Sequence, residues 1–182
     1  MSNDLDLTTS RLRDAYAGLL DAAATVAQAP TPREPTDGGW NADQILAHVA
    51  ILTATTLRAA ASVAAGEHST YDNRISHDTW TLGHVLAVAG GSAELRNRVR
   101  IQSEALRAFA GSLGQAELET LLPTRLVSHG ALLVDQPMAL GDLLNGLADI
   151  EIPGHTAQLL ALQLPGPSEG VTCGGHERDQ HR

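Results

Sequence analysis

LGDLLNGLADIEIPGHTAQLLAL, residues 140–162, decides the fold. Leu140, Leu144, Leu147, Glu151, His155, Leu159 and Leu162 recur at steps of three and four, so all seven share one helical face. The periodicity predicts a helix that starts after Pro137 and ends before Pro165, with this stripe buried against other helices. Two ionisable residues interrupt the stripe. Glu151 and His155 are four apart and therefore neighbours. A carboxylate in an apolar core is costly unless something compensates it. A cation is one compensation, because carboxylate and imidazole both ligate zinc and related metals. His155 itself, or another polar core group, is the other. The spacing alone discriminates little, since Glu177 and His181 repeat it near the C-terminus. Pro153 stands between the pair, removes the N–H that would bond the Asp149 carbonyl, and is expected to kink the helix.

Three longer helices are expected upstream, with no internal repeat. The first covers about Thr9 to Ala27, with Leu12, Tyr16, Leu19, Leu20, Ala23 and Val26 inward. APTPREPTDGG follows and cannot be helical. The second begins with the clearest start signal in the chain. Asn41 and Gln44 form a capping box, with Trp40 and Ile45 at the positions of a hydrophobic staple. It should run to about Ala65, with Ile45, His48, Val49, Leu52, Ala59 and Val63 inward. His48 thus lies on an apolar face and supplies a third candidate ligand. Three protein ligands leave a position for water or substrate, and bundles build such sites from facing helices. Residues 66–74 read as a polar linker and 76–89 as a short extra helix. Ser92 can cap another long helix to about Leu113. Arg125–Ser128 and Ala131–Asp135 flank His129-Gly130, which allows a small hairpin.

The composition fits an ordinary globular chain. Of 182 residues, 43% are hydrophobic and 18% charged, and only 3% are aromatic, so alanine and leucine fill the core. No uninterrupted apolar run approaches a membrane span. The N-terminus lacks the apolar stretch of a secretory signal. A single cysteine, Cys173, excludes an internal disulfide and suits a reducing, cytoplasmic setting. The net charge of −9, from 12 basic and 21 acidic residues, argues against a nucleic-acid or anionic-membrane partner. Arg96, Arg98 and Arg100 are spread around a helix and read as solvated surface.

Two stretches carry a family resemblance: Trp40 followed by Ala42-Asp43-Gln44-Ile45-Leu46-Ala47-His48, and Glu151-Ile152-Pro153-Gly154-His155-Thr156-Ala157-Gln158-Leu159. The chain resembles the DinB-like superfamily, above all its mycothiol-dependent maleylpyruvate isomerase-like domains, over roughly residues 9–164. There a tryptophan precedes the helix with the first metal histidine, and the fourth helix supplies His-x-x-x-His or Glu-x-x-x-His. This chain matches the second form. The resemblance implies an all-α, four-helix bundle over 1–164 that binds zinc, or alternatively nickel. It also implies a thiol cosubstrate such as mycothiol. Residues 165–182 are expected to be a disordered tail, and Pro153 departs from a regular ligand helix.

Other candidates surround this core reading. His77 and His84, seven apart, fall on one face of the short helix, and either could serve as general acid or base beside the metal. Satisfied structural histidines are the alternative. Tyr71, Asn73 and Arg74 could bind an anionic substrate, arginine through bidentate contacts; loop capping is the competing role. Ser128 beside His129 makes no triad. Three function classes follow: a metal-dependent enzyme performing transfer, addition or isomerisation on a small molecule; a non-enzymatic metal-binding or stress-response bundle; and a metal-free interaction bundle, for instance a homodimer.

Overall fold

The computed structural model describes residues 2–29, 35, 39–128 and 130–163, with side chains from Leu7 onward. Helices α1 (Ser2–Gln28), α2 (Ala42–Ala64), α3 (Thr79–Ala89) and α4 (Ser92–Ala110) are followed by the short α5 (Gln115–Leu118). The final helical stretch is α6 (Leu140–Gly146), a π turn (Leu147–Glu151) and α7 (Ile152–Ala161). Strands β1 (Tyr71–Asp72), β2 (Leu121–Ser128) and β3 (Ala131–Ala139) complete the fold. The chain is mostly helical with a small three-stranded sheet, so the all-α expectation needs correction. The expected tail with Cys173, His176 and His181, most of the proline-rich connection and His129 lie outside the described residues.

Most of the helical stripe positions are buried, while Leu20 and Phe109, expected inward, are only partly so. Leu12, Leu19, Leu46, Leu52, Leu95, Leu106, Leu144 and Leu159 are all fully enclosed. α1 packs against α4 and α7, and α2 against α4. The Asn41 side chain accepts from the Gln44 N–H while the Gln44 side chain accepts from the Asn41 N–H, both at 2.9 Å. Such a cap contributes about 1 kcal/mol. By length and composition α2 could cross a bilayer, but 67% of that stretch is buried inside the protein, as befits a core helix. α4 departs slightly from expectation. Gly91, at φ +136°, precedes it without any side-chain cap bond, and Ser92 is its first helical residue.

The hairpin is longer than Arg125–Ser128 with Ala131–Asp135. β2 and β3 pair antiparallel from Leu121↔Ala139 to Ser128↔Ala131, with a bulge between Leu126 and Val127. Pro123 and Pro137 sit opposite each other in the ladder. A facing pair that needs no N–H tolerates proline. The β1 pairing starts only at Thr124, so nothing else demands a donor from Pro123. With Pro137 inside β3, the last helix begins at Leu140. Gly130 (φ +77°) turns the chain in a conformation that glycine adopts without steric cost.

Pro153 acts one turn upstream of itself. The Asp149 carbonyl has no α-type donor, and the Ile152 N–H reaches back to the Leu147 carbonyl in the wider π pattern. The extra residue changes the inward position at this turn alone, and His155 and Leu159 beyond it stay buried. Ile152 becomes fully buried and Glu151 moves to the edge. Arg11 of α1 braces this turn, donating to Asp149 at 2.7 Å and to Asn145 at 2.8 Å.

Candidate metal centre

His48 is 1% exposed on the inner face of α2. Its Nδ1 lies 2.7 Å from the Ser76 carbonyl oxygen. A carbonyl only accepts, so Nδ1 carries the proton and Nε2 the lone pair. Burial, then the neighbouring His155, pushes the pKa of His48 down to about 3, against the partial support of Ser76; His77 lowers it further. The ring is therefore neutral at physiological pH, the form that binds metals. An imidazole whose second nitrogen donates to a backbone carbonyl is also the usual arrangement around a metal.

His155 reaches the same place from α7. It is 8% exposed, and its ring centre is 4.7 Å from that of His48. Its Nδ1 lies 2.9 Å from Gln158 Oε1, one helical turn on. An amide oxygen accepts, so Nδ1 is the donor in this contact. Glu151 Oε2 stands 3.9 Å from His155 Nε2, with its side chain 39% exposed. That exposure weakens the case from desolvation: Glu151 is a rim residue and needs no buried partner. It also marks the side on which the cluster meets solvent.

His77 joins the group. Its ring centre is 4.8 Å from that of His48, edge to face. Trp40, just ahead of the α2 cap, lies 4.7 Å from His48 and 5.7 Å from His77 and forms a wall over both. His77 ends a 3-10 turn, Asn73–His77, where the sequence predicts a linker and a helix start. Asp72 accepts from the Arg74 N–H, and the Ser76 hydroxyl donates to the Asn73 carbonyl. The Asn73 amide donates to the Val127 carbonyl at 3.0 Å and accepts from the Val127 N–H at 2.7 Å. The turn is thus pinned to the sheet.

The donors suit a divalent ion: three imidazoles and a carboxylate, with no thiol among them. Two imidazoles sharing a tetrahedral zinc, with Zn–N about 2 Å and about 1.2 Å from nitrogen to ring centre, hold their centres about 5 Å apart. The two spacings from His48 agree. The donor atoms themselves do not converge: among the described residues no three His, Cys, Asp or Glu side chains already form a metal-holding group. The cluster is a set of neighbours with fitting chemistry, and loading an ion requires side-chain rotation.

The remaining candidates are placed elsewhere. Asp78 caps α3 by accepting from the Thr81 N–H and hydroxyl, so the helix starts at Thr79 and His77 precedes it. His84 therefore parts from His77. It is exposed on α3, stacked parallel to Trp80 at 5.3 Å, and makes no ring contact with the cluster. Tyr71 is buried with its hydroxyl 3.0 Å from that of Thr56, and burial raises its pKa to about 12. Arg74 is exposed and forks onto the Asp72 carboxylate, which it holds below the usual carboxylate range. Tyr71, Asn73 and Arg74 thus make contacts that build and anchor the turn, the competing role expected for them. Ser76 and Gln158 were missed as supports for the two imidazoles. Gln158, three residues after His155 on the same helix, was the detectable one.

No protein-family model, curated protein or solved structure matches this chain.

Proposed function

We propose that the protein is a metal-dependent enzyme acting on a small molecule, built as a DinB-like four-helix bundle. His48, Glu151 and His155 would hold one divalent ion, zinc in first place and nickel as the alternative. The observation that carries this reading is the contact of His48 with His155. Two buried imidazoles from separate helices meet at 4.7 Å, and the Nδ1 of each lies against an oxygen acceptor. A divalent ion there would supply a Lewis acid that lowers the pKa of a water or thiol cosubstrate.

The protein's own groups would do the rest. Ser76 and Gln158 orient the two rings, Trp40 screens one side from water, and the exposed edge of Glu151 leaves an approach for substrate. By the resemblance of the two ligand stretches, the cosubstrate is a thiol such as mycothiol and the chemistry is transfer, addition or isomerisation in the cytoplasm. His77 favours a second reading. A further imidazole beside His48 suits a non-enzymatic metal-binding or stress-response protein with a closed shell.

Metal analysis of purified protein tests the centre. Wild type is expected to hold one zinc per chain and His48→Ala essentially none. Equal zinc content in both would remove His48 from the site.

A further inference from the structure

We infer that His77 is a fourth protein donor to the ion, closing the resting centre that His48, Glu151 and His155 begin. The inference rests on the metal reading proposed above and goes beyond it. Two features of the Asn73–His77 turn carry it. The turn presents the Ser76 carbonyl to His48 Nδ1 at 2.7 Å, so its backbone already orients one ligand. The next residue then sets its own imidazole 4.8 Å from that same ring. This spacing nearly equals the 4.7 Å between His48 and His155, and both are near the roughly 5 Å expected of rings sharing one ion. The turn is no loose loop. Asn73 ties it to β2 by two hydrogen bonds, and Asp72 and Asp78 cap its two ends.

A four-donor resting shell has a functional consequence. Substrate or cosubstrate must displace one side chain or enter as a fifth ligand, as zinc allows.

The test uses full-length protein stripped of metal by chelator and titrated with zinc against a chromophoric competitor. His77→Phe keeps the ring contacts but has no donor. It is expected to keep the apoprotein melting temperature and to weaken zinc binding by more than the roughly 10–100-fold typical of an outer-shell substitution. His77→Ala should weaken zinc equally. Cobalt(II) absorption should change in both variants, reporting a lost nitrogen. In wild type, the ring-nitrogen NMR signals of His77 should move together with those of His48 and His155 as one equivalent of zinc is added. Wild-type zinc affinity in His77→Phe, or static His77 signals, would overturn the fourth donor while leaving the three-residue site standing. Zinc binding that His48→Ala does not affect would instead overturn the underlying metal reading, and this inference with it.

Discussion

The helical stretch 140–161 and the segment 71–89 flank the same buried imidazole, His48, but reach it by different means. The first carries Glu151 and His155 on a periodic apolar stripe whose leucines bury against α1 and α2. The second carries His77 on a five-residue 3-10 turn held by contacts made 54 residues away at Val127. One is positioned by local periodicity and the hydrophobic effect. The other depends on partly buried hydrogen bonds between distant parts of the chain. A site whose walls are built so differently should respond differently to damage on each side.

The largest effect is expected on the helical side. Glu151→Leu should lower zinc affinity by more than the roughly 10–100-fold of an outer-shell change. Because Glu151 sits half-exposed at the stripe's edge, the apoprotein should change in stability by no more than about 1 kcal/mol. Urea unfolding of metal-free protein and a competition titration separate the two readouts. Full zinc affinity with a large loss of stability would make Glu151 a structural residue.

The same contrast explains what was legible in advance. The stripes on α1, α2, α4 and the last helix follow from period alone, so Leu140, Leu144, Leu147, His155 and Leu159 are buried where the spacing puts them. The Asn41–Gln44 cap is likewise local. Pro153 was legible as a disturbance, but a kink and a π turn begin from the same missing donor. The Ile152 N–H bonding the Leu147 carbonyl, with Ile152 packed inward, shows that the turn took on an extra residue. The Tyr71–His77 segment gave no such signal. Its order comes from β1 pairing in parallel with β2 at Tyr71↔Thr124 and Asp72↔Arg125, a non-local choice. Asp78, a good N-cap followed by Thr81, was the one local clue that His77 and His84 belong to different elements.

A smaller effect is expected from loosening the turn. Asn73→Ala leaves both backbone groups of Val127 without their side-chain partner and should cost about 1–3 kcal/mol in urea unfolding. If the turn is part of the centre, zinc affinity should fall as well, by about 10-fold, because the Ser76 carbonyl orients His48 from the same turn. Lost stability with intact zinc affinity would mean that segment 71–77 merely covers the centre.

The smallest effect sharpens the comparison from the far end of the same segment. His84 stacks on Trp80, which is 73% exposed, so the pair lies at the solvent face of α3. An exposed ring contact of this kind contributes little once water competes for both faces. His84→Ala should therefore stay within about 0.5 kcal/mol of wild type and leave zinc affinity unchanged. The seven-residue spacing from His77 makes the opposite prediction, since one continuous helix would carry both imidazoles to the ion. A weakened centre in His84→Ala would restore that shared face and place the start of α3 before Asp78. An unaffected centre would leave the Asp78 cap as the boundary between the part of the segment that serves His48 and the part that faces water.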